Sequence, residues 1–177
     1  MYKISYLLLT FIVGLVFLGP LFYTVDPTYF DKTTILLPPS LEHIMGTDRL
    51  GRDIFARILI GGQVSLTIGF LSALIGTIIG VMYGISAVFI RGNFDRIFIV
   101  VVDLFLTFPT LFLLLTLVSY VNASMWVLIL IIAFTGWMGT ARMVRSESFA
   151  IANKPFIRIL KVGGVHPLKI MVKYYAP

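Results

Sequence analysis

Uncharged apolar runs dominate the chain, and its polar positions are gathered into a few blocks between them. The runs are Ile4–Val25, Ile58–Ile90, Ile97–Val121 (broken by Asp103 alone) and Ala123–Ala141. About 20 apolar residues carry a helix across the hydrocarbon core of a bilayer, so each run is long enough to span. The second holds 33 residues without a charge, which obliges it to tilt or to carry an interfacial turn. None shows the alternation of a barrel strand, so helices must satisfy the backbone inside the membrane. The expected fold class is an all-α integral membrane protein with about four transmembrane helices.

Composition agrees. Of the 177 residues 59% are hydrophobic and 12% charged, with a mean hydropathy of +1.00, values typical of membrane chains. The first run is too long for a signal-peptide core, and Gly19-Pro20-Leu21 is no cleavage site, so an uncleaved helix is expected. The chain has no cysteine, which excludes disulfides, thiolate catalysis and cysteine-held metals.

Charge sets the orientation. Four helices place Lys3, Arg91, Arg96, Arg142, Arg145, Lys154, Arg158, Lys161, Lys169 and Lys173 on one side, ten of the 14 basic residues. That side, with the N-terminus, is cytoplasmic by the positive-inside rule. The opposite side receives residues 26–57, where acids outnumber bases, and with them the polar stretch GTDRLGRD at 46–53. The net charge of +6 suits topology and an anionic lipid surface, not nucleic acid.

Within the helices, Ser65, Gly69, Ser72, Gly76, Gly80 and Gly84 form one small-residue stripe. It permits close backbone approach, and packing inside the subunit is favoured over an interface between protomers. Pro109, after Thr107 and Phe108, should kink the third helix. Asp103, about two turns inside the cytoplasmic end, is either a functional carboxylate or the partner of a nearby arginine, and its shallow depth favours the second. Gly136 and Gly139 loosen the last turns of the fourth helix, leaving Arg142 and Arg145 at its cytoplasmic end as anchors for lipid phosphates.

The segment 153–177 reads as two short helices. Pro155 opens the first, Gly163-Gly164 ends it, and His166-Pro167 starts the second. Lys154, Arg158 and Lys161 fall on one face, with Phe156, Ile157 and Leu160 on the other. Pattern alone favours a basic amphipathic element on an anionic membrane surface over one docked in a partner's groove.

GTDRLGRD, an uncharged helix, FDRIFIVVVDLFLTFPTLF and GWMGTARMVRS follow one another in an order that resembles the inner-membrane permeases of dipeptide, oligopeptide and nickel ABC importers, in particular their second, C-type permease subunit. The resemblance runs from about residue 40 to the end. It rests on Gly46, Thr47, Asp48, Gly51, Arg52 and Asp53, on Asp95, Arg96, Asp103, Phe108 and Pro109, and on Gly136, Trp137, Gly139, Ala141, Arg142, Val144 and Arg145. It implies an extracytoplasmic motif loop that braces the outer mouth or meets a solute-binding protein. Asp48 and Asp53 also suit N-caps, and the glycines suit tight backbone.

The same resemblance makes the tail a coupling loop inserted into an ATPase. Phe156, Ile157, Arg158, Leu160, Lys161, Gly164, His166 and Pro167 are its expected contact residues, which reverses the lipid preference. Two departures stand out. The family's Glu-Ala-Ala is here Arg158, Ile159 and Leu160, a reversal of charge at a docking surface. The family also continues for two further helices, so a six-helix core is expected to be incomplete, as a fragment or a truncated gene.

The implied organisation is a first helix over 1–25, an extracytoplasmic segment over 26–57, and a permease core over 58–177 with its coupling loop in 146–177. The implied function is an ATP-driven importer subunit for peptides or nickel. Its partners would be a second homologous permease, two ATPase subunits, a solute-binding protein and membrane lipid. The alternative is a non-transporting remnant that assembles through the glycine stripe and binds lipid. No catalytic, metal-binding or cofactor residues are expected. GxxxxGK[ST] is absent, and His43 and His166 fall on opposite sides of the membrane.

Overall fold

The computed structural model describes residues 2–90, 92–120 and 124–175. Seven α-helices account for most of them: α1 (Tyr2–Phe22), α2 (Ile54–Ile90), α3 (Gly92–Thr107), α4 (Thr110–Tyr120), α5 (Met125–Ala152), α6 (Pro155–Val162) and α7 (Pro167–Ile170), with a π-helical turn at Met171–Tyr175. α1, α2 and α5 are each long and apolar enough to cross a membrane, and α3 with α4 makes a fourth if the bent pair is one span. The expectation of about four spans is met in that form. The chain divides into two compact units, Met1–Thr67 and Ile68–Pro177.

In the first unit α1 exposes almost its whole apolar surface, as a helix in lipid does, and buries only Val16. Val16 sits over Gly62, where an added Cβ would lie 2.9 Å from its side chain, and Leu59 fills the space over Gly19 in the same way. Gln63 Nε2 donates to the Val16 carbonyl at 3.0 Å. Small residues on each helix thus admit a branched side chain from the other.

In the second unit the small-residue stripe meets α5. A Cβ on Gly80 would stand 2.8 Å from the Trp137 carbonyl oxygen, and one on Gly84 2.7 Å from that of Ala141. The partners advance together, so α2 and α5 run parallel. Close packing inside the chain therefore occupies Gly76, Gly80 and Gly84, whereas Gly69 has nothing over it. α3 runs antiparallel to α5, with Phe98 and Val102 buried against Met138 and Ala141, and Phe105 edge-on to Phe134.

Two sequence expectations are corrected. The proline produces a break, not a kink: α3 ends at Thr107 and the chain turns by 86° into the following helix. Pro109 has no N–H, and its carbonyl instead accepts from Phe112 and Leu113, starting a new helix. The fourth span does not loosen at Gly136 and Gly139 but runs unbroken to Ala152. No helix breaker intervenes before Asn153 and Pro155, so Arg142 and Arg145 lie inside the helix.

Candidate functional site

The motif stretch of the first unit is a knot of short-range hydrogen bonds. Gly46 and Gly51 have φ of 71° and 73°, a left-handed conformation that glycine alone adopts without penalty. A Cβ on Gly51 would fall 1.8 Å from the Asp31 carbonyl oxygen, and one on Gly46 2.4 Å from that of Leu37. These turns fold 46–53 back on itself, with Thr47 and Asp53 bridged. Thr47 Oγ1 accepts from Leu37 N at 2.8 Å and donates to the Thr34 carbonyl, tying the preceding loop to the motif.

The two aspartates play different parts. Asp48 Oδ1 accepts from the backbone N–H groups of Leu50 and Arg52, while Oδ2 takes Arg52 at 2.8 Å and Arg57 at 2.7 Å. Partial burial disfavours its charge, but these donors outweigh that, above all the Arg52 side chain, and hold the carboxyl well below the usual range. Asp48 closes a turn and does not cap a helix. Asp53 does cap one: Oδ1 accepts from Ala56 N at 2.7 Å at the start of α2.

The other oxygen of Asp53 receives two side chains that sequence reasoning passed over. Tyr23 Oη lies 2.6 Å from Oδ2 and His43 Nδ1 2.8 Å from it, while the carboxylate itself is buried. Because the carboxylate can only accept, Nδ1 carries the proton. One carboxylate therefore ties the end of α1, the 40–46 loop and the start of α2. Burial and the Asp53 contact push the Tyr23 hydroxyl up to about 12. Burial works against ionised Asp53, but the Ala56 N–H, Tyr23 and His43 together lower its pKa. Tyr23 and His43 lie at sequence separations of 30 and 10 from Asp53, and a single sequence carries no signal for such pairings.

In the second unit the charged residues of α3 and α5 form two rungs. Arg145 donates to both oxygens of Asp95, at 2.6 and 2.8 Å, and its guanidinium stacks 4.7 Å from the Phe149 ring. Planar bidentate pairs of this kind are among the strongest side-chain contacts. The second rung, Arg142 to Asp103, is longer at 3.5 Å and more exposed. Arg145 is therefore a helix-to-helix tie and not a lipid anchor, and Asp103 does pair with an arginine. Asp103 lies 11 residues beyond the start of α3 at Gly92. Arg96 and Phe108 are exposed.

α6 and α7 are folded against the C-terminal ends of α2 and α5. Ile157 and Ile170 are buried with Ile85, Val88 and Val144, flanked by Leu160 and Val165. Pro155 is the first residue of α6, Gly163 its cap, and Gly164 takes φ of 73° before His166 and Pro167 start α7. The expected apolar face of α6 is only partly right: Ile157 and Leu160 turn inward, whereas Phe156 stays exposed, its ring 5.8 Å from that of Tyr174. Among the described residues no cluster of three metal-ligating side chains occurs.

Residues 76–177 match the family model of the binding-protein-dependent transport system inner membrane component. The matched stretch, more than half of the chain, holds both charge rungs and the α6–α7 pair. The chain belongs to this family. Its relatives include the oligopeptide transport system permease protein of Haemophilus influenzae, 30% identical over 98% of this chain and 56% of its own length. The dipeptide transport system permease protein of Bacillus subtilis is 32% identical over 96% of this chain and 53% of its own. The nickel transport system permease protein of Escherichia coli K12 is 34% identical over 85% and 54%. The chain spans about half the length of these relatives.

The geometry has a plain physical reading. Asp48, Asp53, Asp95 and Asp103 all face cations, hydroxyls or backbone donors within their own unit. Asp53 thereby fixes the entry to α2, and Asp95 and Asp103 pair α3 with α5.

Proposed function

We infer that this chain forms part of the translocation path of an ATP-driven importer for peptides or nickel, working with a second homologous permease, two ATPase subunits and an extracytoplasmic solute-binding protein. Its N-terminus and the α6–α7 pair lie in the cytoplasm, and residues 26–57 outside. The core of 58–177 carries the coupling loop, and hydrolysis of ATP belongs to the ATPase subunits. The observation that carries this reading is the α6–α7 pair. It is a short helical element packed through Ile157 and Ile170 onto the ends of two membrane-length helices, while its other face stays open. A soluble motor that moves α6 would move α2 and α5 with it.

The names of the relatives support the class of solute, and the motif loop supports a braced outer entrance. The test is co-purification of the full-length permease with its ATPase subunit. Gly164 has φ of 73°, so Gly164→Trp strains the turn between α6 and α7. Loss of the ATPase from that variant, with the permease still folded in the membrane, is the expected result. Undiminished co-purification would exclude docking through this segment.

A further inference from the structure

The outer face of α6 is only partly accounted for by the chain's own packing, through Phe156 against Tyr174. Ile157 is fully buried, but Ile159 and Val162 are 71% and 85% exposed, and Phe156 is 42% exposed. At steps of three residues these side chains make one ridge. Beside it runs an open groove of about 610 Å³ lined by Asn153, Pro155, Arg158, Ile159, Val162 and Gly163. The charge is one-sided: Lys154, Arg158, Lys161, Lys169 and Lys173 are all exposed, and 153–177 contains no aspartate or glutamate.

A lipid surface and a soluble protein compete for such a face, and two observations favour the protein. An interfacial helix sinks its broad apolar side into the lipid, yet here that side is taken up by Ile85, Val88 and Val144. What remains is a narrow ridge beside a concave groove, a shape that a protein surface fills. Length is the second. α5 has 28 residues and starts beside the exposed Trp126, an anchor typical of the bilayer interface. At ~1.5 Å per residue it reaches about 42 Å, as long as a bilayer with its headgroups. α6 follows where that layer ends.

We propose that the surface docking on α6 is an ATPase groove of acidic character, with a carboxylate facing Arg158 and an apolar hollow for Ile159 and Val162. This rests on the reading of α6–α7 as the ATPase contact, and adds that charge at Arg158 selects which ATPase is accepted. The guanidinium fork takes a carboxylate bidentately. A like charge across the same contact is rejected more strongly than a neutral one.

The test uses the full chain in nanodiscs of phosphatidylcholine, titrated with the ATPase subunit that supports its transport. Arg158→Glu should weaken binding tenfold or more, Arg158→Gln less, and the loss should be largest at low salt. Changing the facing carboxylate of the ATPase to lysine should restore binding to Arg158→Glu. Unchanged or tighter binding by Arg158→Glu, with wild-type docking intact, would overturn the acidic groove and leave the docking reading standing. The chain lacks cysteine, so Val162→Cys carries a single environment-sensitive label, expected to stay in water in nanodiscs with or without phosphatidylglycerol. Immersion of that label in anionic bilayers, with no ATPase binding by the wild type, would overturn both.

Discussion

Replacing Gly51 by alanine should loosen residues 26–57, and the size of the effect can be worked out. The new Cβ would stand 1.8 Å from the Asp31 carbonyl oxygen. Carbon–oxygen contacts lie near 3.3 Å, so one of the two strands must shift by about 1.5 Å. At stake are the bonds from Thr34 N and Thr34 Oγ1 to that carbonyl, from Thr34 Oγ1 to the Gly51 carbonyl, and from Gly51 N to the Asp48 carbonyl. Losing two or three, at about 1 kcal/mol each, adds to roughly 1–2 kcal/mol for alanine at positive φ. The sum is on the order of 3–5 kcal/mol, a class of effect that point substitutions rarely reach. Gly164 supplies the control, because its φ is also 73° but no atom lies within 4 Å of its missing Cβ. Gly164→Ala should cost about 1–2 kcal/mol, the backbone share alone. The assay is limited proteolysis of the purified protein, by chymotrypsin at Tyr29 and Phe30 for Gly51→Ala and by trypsin at Lys161 and Lys169 for Gly164→Ala. When cleavage follows the open population, each 1.4 kcal/mol is tenfold in rate. Gly51→Ala should raise its rate by about a hundredfold or more, and Gly164→Ala by no more than about thirtyfold. Equal increases would refute the steric argument and leave backbone strain as the whole cause.

Removing one partner of the shielded rung, as in Asp95→Asn, should destabilise the α3–α5 contact by about 2–3 kcal/mol in a thermal unfolding series. Arg142→Gln at the exposed rung should cost less than about 1 kcal/mol, and the double exchange Asp95→Arg with Arg145→Asp should recover most of the first loss. Gly84→Ala should force α2 from α5, since its Cβ would meet the Ala141 oxygen at 2.7 Å and Val144 Cβ at 2.9 Å; overpacking of this kind costs about 1–3 kcal/mol, and a wild-type melting temperature would contradict it. Acid should open the motif loop. The Asp48 and Asp53 pKa values are lowered in the fold, so their stabilisation is complete above the unfolded value near 3.9 and is lost as pH falls through the folded values. Cleavage around Tyr29 and Phe30 by pepsin, which works in acid, should therefore rise as pH falls below about 4, and chymotrypsin should cut Asp53→Asn fast already at neutral pH.

The apolar runs located the long helices, and their errors have a common origin. α2 starts at Ile54 and not Ile58 because Asp53 caps it, and Arg57 is tolerated in its first turn. α5 continues to Ala152 because charge marks the edge of a membrane, not the end of a helix. Pro109 located the interruption between α3 and α4, but the loss of one N–H does not determine the 86° turn, which depends on where α4 packs. In the motif, Gly46 and Gly51 were legible because positive φ is a local property. The Asp95–Arg145 pair joins residues 50 apart, and Tyr23 and His43 reach Asp53 only after the chain has folded. Local rules carry no information about such partners.

The exposure of α6 looks different once its anchoring is weighed. Ile157 is the one fully buried residue of the helix, and emptying its site would cost about 2–5 kcal/mol, the range for deleting a large aliphatic side chain from a core. Its neighbour in that core, Val144, precedes Arg145, whose bidentate grip on Asp95 fixes α5 to the first turn of α3. A pull on α6 therefore has two outlets. Either Ile157 leaves its pocket, or α5 carries α3 with it and the strain reaches the break at Phe108 and Pro109. That break offers less resistance, because the backbone there has already given up its helical bonds, and a pivot works only against the packing of α4 on α5. The rigid element of the second unit is thus the α3–α5 pair and the compliant one the junction beyond it. Spin labels on Ile97 and Ile159 should keep one narrow distance when α6 is engaged, and labels on Ile97 and Leu115 should not. Broadening of the first distance with the second unchanged would place the hinge at α6 and refute this assignment.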